Sequence, residues 1–300
     1  MYKEKYLKYK SKYLDLQNQL GGTGGTSKLT HLWPPPAPPA PAPTPARAHP
    51  PTPPAPAVTK TIFQLRNRND ESELESMTKD SILDYFIDKI KKYDILDFHN
   101  CNTITDDIFV TLIQALKEEN SKPIELILSS DAITNNSILN LGNALALNNL
   151  NLIFLSLSGK KLYDFGLLIN ALKKNTTLTT LTLNAVNDDN AQKIADALKV
   201  NNTLTKLNLT GVSFNYEGAY REIRISDRGA KAIADALKTN YTLQELSLYN
   251  NNITDIGCNA LLDVIIDNSI NVINKIDLRA NSDITDKSRS SITKKKMVPK

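Results

Sequence analysis

Two cysteines, one tryptophan and three histidines are all that 300 residues hold of the types on which disulfide frameworks, aromatic anchors and metal or acid–base sites are built. Cys101 and Cys258 fall in different copies of a repeat, so no disulfide between them is expected and the chain reads as a protein of a reducing compartment. His31 and His49 lie in a low-complexity arm and only His99 in the folded part, which leaves no histidine cluster for a metal or a proton relay. His99 and Cys101 stand two residues apart, but an edge histidine and a cysteine in a buried repeat slot account for them without a thiol catalyst. Phosphate-binding Gly loops and Cys-x-x-Cys pairs are missing too, so no catalytic residue, metal, cofactor or small-molecule substrate is expected. Nor is there an apolar run of about 18 residues to span a bilayer, or the uninterrupted apolar core of a secretion signal; the chain is expected to be neither transmembrane nor secreted.

Proline and charge are unevenly spread. Residues 1–59 hold 13 of the 15 prolines. They carry seven Lys/Arg against two acids, residues 60–286 carry 23 against 30, and residues 287–300 six against none. An acidic body therefore lies between two basic ends. Charge concentrated in such ends marks solvated tails rather than a nucleic-acid surface. The division predicts one folded domain, 93–286, preceded by a capping helix within 70–92, with a Gly/Thr then Pro/Ala linker at 23–59 and a basic tail at 287–300. Pro34 to Pro56 has the composition of a polyproline II spacer, reaching roughly 70 Å at about 3.1 Å per residue.

The first 22 residues place Tyr2, Tyr6, Tyr9 and Tyr13 at alternating four- and three-residue steps, an aromatic stripe at helical spacing surrounded by lysines. Spacing alone leaves open a solvated marginal helix or one that orders on an acidic partner or a membrane surface. Gly21-Gly22 reads as a helix stop followed by a flexible linker.

From residue 93 the chain repeats. Triplets of the form L-x-x-L-x-L start at Tyr93, Pro123, Leu152, Leu178, Leu204, Leu243 and Ile273, which are 30, 29, 26, 26, 39 and 30 residues apart. Each triplet is a short strand turning its leucines inward, and apolar residues at helical spacing follow, as at Ile194, Ala195 and Leu198. One strand and one helix cannot close a core, so the copies must stack. Ahead of them, residues 73–92 pattern as a helix with Ile82, Phe86 and Ile90 on one face and Leu83 and Ile87 beside it, placed to cover the open end. Three residues after each last strand leucine is a slot holding Cys101, Asp131, Lys160, Val186, Val212, Asn251 or Asn281. An Ile-Thr step then recurs, as at Ile133-Thr134 and Ile253-Thr254, with Thr placed to cap a helix. Helices close with Ala-Leu-Lys-x-Asn, as at Asn175, Asn201 and Asn240, whose glycosylation sequons read as by-products of an Asn/Thr-rich turn.

These features, above all Ile-Thr-Asp-x-Gly with Ala-Leu-Lys-x-Asn-x-Thr, resemble the ribonuclease-inhibitor class of leucine-rich repeats, seen also in Ran GTPase-activating proteins and NOD-like receptors. The resemblance covers about residues 93–286. It implies an α/β leucine-rich-repeat solenoid, a horseshoe of about seven strand–helix repeats with a parallel concave sheet and outer helices. It implies protein binding, with a GTPase activator like the Ran proteins as the alternative. The string Tyr-Lys-Glu-Lys-Tyr-Leu-Lys-Tyr-Lys-Ser-Lys-Tyr-Leu-Asp-Leu-Gln with Gly21-Gly22 resembles an N-terminal segment on unrelated proteins of mimivirus-like giant DNA viruses. That resemblance implies an address or packaging tag and a place in the host cytoplasm, the viral factory or the virion.

Positions between the strand leucines should line the concave face, mostly small and polar, with Phe154, Lys206, Asn208, Glu245, Tyr249 and Arg279 as the candidate contacts. The 39-residue step contains about eleven extra residues, in which Phe214, Tyr216, Tyr220, Arg221 and Arg224 have the composition of a binding site. A neutral loop expansion fits the insert equally well, since loop growth costs little. The expected partner is a host or viral protein, bound by a monomer, without nucleic acid.

Overall fold

The computed structural model describes residues 60–65, 74, 76–118, 121–122, 124–162, 164–216, 219–267 and 272–285, and of 79, 214–216, 219–221 and 266–267 the backbone alone. The chain divides into the units Met1–Ala57 and Val58–Lys300, and the described residues belong to the second. The tag, the linker, the start of the 70–92 segment and the basic tail lie outside the described residues.

Strand β1 (Ile62–Gln64) is followed by α1 (Lys79–Lys92), β2 (Ile95–Phe98), α2 (Asp106–Leu116), β3 (Glu125–Ser129), α3 (Asn135–Ala146), β4 (Phe154–Ser158), α4 (Gly166–Leu172), β5 (Thr180–Leu183), α5 (Asp188–Leu198) and β6 (Lys206–Asn208). Then come β7 (Val212–Tyr216), β8 (Ala219–Ile223), α6 (Asp227–Leu237), β9 (Glu245–Ser247), α7 (Asp255–Asp267) and β10 (Lys275–Asp277). Eight strands form one parallel sheet in the order β1-β2-β3-β4-β5-β6-β9-β10. Parallel neighbours need a crossover, and each crossover here carries a helix. The register follows the leucines: Leu96 opposes Leu126, Leu126 opposes Leu155, and so on through Leu181, Leu207 and Leu246 to Ile276. Leu96, Leu126, Leu155, Leu181, Leu207 and Leu246 are buried, and the same core takes in Ile194, Ala195 and Leu198 of α5. The chain folds as a leucine-rich-repeat-like α/β solenoid.

Three expectations change. The sheet begins one strand earlier than the triplets indicate, because Ile62 pairs with Ile95 and Phe63 with Leu96. Lys60 stands where later repeats have the first apolar residue of the triplet, which hides β1 from the pattern. Helix α1 therefore completes a first repeat with β1 instead of covering a bare end, and it starts at Lys79 behind an N-cap Thr78, with Ile82, Phe86 and Ile90 buried as expected. The slot also moves. Cys101, Val186, Asn251 and Asn281 are buried in it, but Asp131 and Val212 are only half-buried and Lys160 is exposed. Ser130 goes in instead, its hydroxyl donating to the Ile104 carbonyl at 3.0 Å. Finally, Thr134 and Thr254 cap their helices by accepting from the N–H of Asn136 and Ile256, whereas Thr105 makes no such bond.

Two asparagine ladders tie repeat to repeat. Asn251 and Asn281 in the slot donate to the carbonyls of Leu209 and Leu248 in the preceding repeat, and accept from Ile225 and Ile253 N–H. At the helix C-termini, Asn175, Asn201 and Asn240 donate to Leu145, Leu172 and Leu198 carbonyls at 2.6–3.0 Å and accept the N–H of Leu178, Leu204 and Leu243 at 2.8 Å. These sequon asparagines are only 3, 4 and 3 % exposed, with both ends of the amide engaged. Their pattern is dictated by buried backbone groups that need partners, and no glycan fits the folded chain there.

Candidate interaction surface

With side chains alternating across each strand, the positions between the core leucines line one face, in rows fixed by the register. One row runs Ile62, Ile95, Glu125, Phe154, Thr180, Lys206, Glu245, Lys275; the next runs Gln64, Asp97, Ile127, Ser156, Thr182, Asn208, Ser247, Asp277. Neighbours within a row are about 4.8 Å apart. The face is apolar toward β1 (Ile62, Ile95, Ile127), small and polar at its centre, and charged at β6, β9 and β10.

At the β1 end, Lys60 pairs with Glu125, and Asp97 is buried while accepting from Gln64 Nε2 at 3.0 Å and the His99 N–H at 3.1 Å. At the far end Glu245 lies between two lysines, 2.8 Å from Lys206 Nζ and 3.7 Å from Lys275 Nζ. The hydrogen bond from Lys206 holds the Glu245 carboxyl below the usual carboxylate range. Arg279 donates through Nε and Nη2 to both oxygens of Asp277 at 2.9 and 2.7 Å, which lowers the Asp277 pKa and raises that of Arg279. The guanidinium carbon lies 5.9 Å from the centroid of the Tyr249 ring, an exposed aromatic at the end of the next strand. Thr210 donates to Asn208 at 2.7 Å.

The insert emerges from this same end. Strands β7 and β8 form an antiparallel hairpin outside the main sheet, with Phe214 opposite Arg221, Asn215 opposite Tyr220 and Tyr216 opposite Ala219. Its base is fastened to the following repeat: the Gly211 N–H donates to Tyr249 O at 3.0 Å and Asn250 Nδ2 donates to Gly211 O at 2.8 Å. A Cβ at 211 would lie 1.9 Å from the Asn250 carbonyl oxygen, so only glycine permits this approach. Arg224 adds a clamp, donating from Nη2 to Ser213 at 2.9 Å and from Nη1 to Asn252 at 3.3 Å, with Glu222 3.6 Å away.

The structure thus brings together Lys206, Asn208, Glu245, Tyr249 and Arg279, with the backbone of Phe214, Tyr216, Tyr220 and Arg221 in the adjacent hairpin. Phe154 stands apart, since β5 separates it from Lys206. Tyr2, Tyr6, Tyr9 and Tyr13 lie outside the described residues. Lys275 and Asp277 fall at concave-face positions in the triplet alignment but were not among the candidate contacts, although Lys275 repeats the position of Lys206 two triplets on; the alignment itself was the signal. Asn252 was missed because nothing in sequence links it to Arg224, 28 residues away.

Cys101 is fully buried in the core while His99 is exposed, so the two do not form a nucleophile–base pair. Burial, with Asp255 nearby, pushes the Cys258 thiol up to about 11, far from a reactive thiolate. On the outer side, a shallow groove of about 550 Å³ between α2 and α3 is lined by Asp106, Val110 and Asn136 among others, but the Asp106 oxygens are taken by Thr134 and Ser137. Among the described residues no helix is long and apolar enough to cross a membrane.

No model of a known protein family matches the chain, and no curated protein does. Among solved structures it is similar to leiomodin-1 actin-binding site 2, with 18 % identity over 73 % of this chain and 88 % of that one and a TM-score of 0.33. It is similar to a structure of the Rad7 and Elc1 complex in yeast, with 17 % identity over 77 % of this chain and 60 % of that one and a TM-score of 0.45. A protein from Bacteroides fragilis matches with 16 % identity over 77 % of this chain and 71 % of that one, at a TM-score of 0.42. At these scores the description of the fold rests on the strand register.

Proposed function

We propose that the chain is a non-catalytic protein-interaction scaffold of the ribonuclease-inhibitor class, which binds a protein partner through the concave face and the 213–224 insert. The observation that supports this most directly is the unbroken register of eight strands, which makes one continuous surface with a hairpin fastened at its edge. Surfaces of this kind suit extended protein contact, and Tyr249 with Arg279 supplies the aromatic and arginine composition of interface anchors. The Tyr/Lys segment at 1–22 acts as a tag of the giant-virus type that docks the scaffold to a viral structure, and the Pro/Ala stretch spaces it from the repeats.

The test is affinity purification from infected cells using the intact chain, a chain with 213–224 replaced by a Gly/Ser loop, and one with Ser156→Arg at the centre of the concave face. A protein captured by the intact chain and lost from both variants supports the reading; capture unaffected by either change overturns it. Removing residues 1–22 should redistribute the protein within infected cells, and unchanged localisation would sink the tag.

A further inference from the structure

We infer that the β6–β9–β10 end of the concave face receives an extended acidic segment of the protein partner. The inference rests on the scaffold reading and specifies its chemistry at one end of the surface. Three cations and two anions meet here, and they are not equally presented. The side chains of Lys206, Lys275 and Arg279 are 52, 56 and 81 % exposed, whereas Glu245 and Asp277 are 35 and 13 % exposed and already occupied by those cations. The charge that faces outward is therefore positive.

The body as a whole is of opposite sign, with 23 Lys/Arg against 30 Asp/Glu between residues 60 and 286. A positive island on an acidic body attracts a carboxylate-bearing segment to one place and repels it from the remainder, which is how charge gives register and selectivity. Elsewhere the same face offers Ile95, Ile127, Ser156 and Thr182, with the Lys60–Glu125 pair at the β1 end, so it is at this end that several cations gather.

The island is also pre-organised. Asp277 holds the guanidinium at two points and Tyr249 lies against it, so Arg279 loses little rotamer freedom on binding and keeps Nη1 for a carboxylate. The two lysines flank Glu245 in a row that crosses the strands, with neighbours about 4.8 Å apart, which matches carboxylates spaced along an extended chain laid across the sheet rather than a single anion. Tyr249, 41 % exposed, adds an apolar surface beside them, and the hairpin base at Gly211 bounds the site.

The experiment uses the full chain and a fluorescent oligoglutamate peptide, followed by anisotropy at low and high salt, with an oligoglutamine peptide and a single-stranded oligonucleotide of matched charge as comparisons. Oligoglutamate should bind and oligoglutamine should not. The triple variant Lys206→Ala, Lys275→Ala, Arg279→Ala should weaken oligoglutamate binding by roughly tenfold or more. A variant with Lys294, Lys295 and Lys296 changed to Ala should leave it unaltered. Arg279→Lys, which keeps the charge and removes the two-point hold, should fall between, and circular dichroism of each variant controls for folding. Binding lost in the tail variant instead, or an oligonucleotide bound as tightly as the peptide, overturns the proposal. A triple variant that binds oligoglutamate as tightly as the intact chain, while the intact chain captures a protein in a hairpin-dependent way, overturns the acidic assignment alone; capture by the intact chain that replacement of the hairpin leaves unaffected overturns the scaffold reading itself.

Discussion

Asp227 accepts the N–H and hydroxyl of Thr254 at 2.9 and 2.7 Å and the N–H of Gly257 at 2.9 Å, so one carboxylate of one repeat closes the helix start of the next. A Cβ at 257 would lie 2.6 Å from that carboxylate oxygen, which is why the pattern ends in glycine. Asp188 repeats the arrangement on Ser226 and Gly229. Charge-assisted hydrogen bonds to buried N–H groups are worth more than exposed ion pairs. Asp227→Asn should therefore cost about 1–3 kcal/mol in urea denaturation. Gly257→Ala should cost a similar amount, and Gly257→Ala in an Asp227→Ala background less than the sum, because the nearest atom that the new Cβ meets is then gone. Ile-Thr-Asp-x-Gly was legible in the sequence as a repeat signature. Its cause was not, because the carboxylate and the groups it holds are 27–30 residues apart.

Backbone conformation gives a second test at the same scale. Asn100, Ala185, Asn250 and Ala280 follow the last strand leucine by two residues, and all have φ between 56 and 62°. Asparagine tolerates this region better than alanine, which is strained there. Ala280 is exposed, so Ala280→Gly removes strain without opening a cavity and should stabilise by about 0.5–1 kcal/mol. A lower urea midpoint would contradict this.

At α2 the equivalent carboxylate, Asp106, contributes to the response to acid. Burial of Asp106 works against its ionisation, but hydrogen bonds from Ser137 and Thr134 outweigh it and hold the pKa below 3.8. A carboxyl with a depressed folded pKa contributes stability that is complete above its unfolded value and is lost as pH falls through the folded one. Stability should thus hold from neutrality to about pH 5 and then drop as the pH passes below 4. Asp106→Asn should flatten the drop in urea midpoints measured between pH 5 and 2; an identical slope in the variant would exclude this carboxyl as a contributor.

Among the elements, the hairpin is the one the repeat pattern could locate but not shape. The 39-residue step showed that something was inserted after Val212, while the alternation needed to foresee two paired strands is blurred in SFNYEGAYREIR. Since β6 pairs directly with β9, the hairpin is a side branch and the sheet passes beneath it. Its attachment depends on Arg224 reaching Ser213 and Asn252. Arg224→Ala should speed amide exchange in 212–223 by about tenfold while leaving the main sheet unchanged. Equal acceleration in β6 and β9 would mean that the hairpin is integral to the sheet. Strand β1 is the converse case, invisible because Lys60 broke the triplet although Phe63 and Leu65 continue the buried rows.

Across the whole molecule, the two kinds of junction are not evenly distributed. The asparagine ladder at the helix C-termini is continuous through Asn175, Asn201 and Asn240. The carboxylate junction links α2 to α3, α5 to α6 and α6 to α7. Around α4 it gives way. Asn135 accepts the Asp164 N–H at 3.3 Å, as Asp106 accepts that of Thr134, but it carries no charge. The next position toward α5 is Phe165, buried in the core and making no side-chain cap, and α4 is only 7 residues long. An exposed contact of 3.7 Å between Lys193 and Asp164 is a weak substitute, since exposed ion pairs are worth about 0–1 kcal/mol. In a solenoid, stability is a sum over neighbouring interfaces, so the weakest junction sets where the array opens. Hydrogen exchange in α4 should therefore run about tenfold faster than in α3 and α5, with opening at the helix N-termini while the asparagine side stays closed. Asn135→Asp combined with Asp164→Thr recreates the junction found at Asp227 and Thr254, and should slow exchange in α4 and raise stability by about 1 kcal/mol. If α4 is already as protected as its neighbours, the carboxylate junctions do not control where this solenoid opens, and the leucine core alone does.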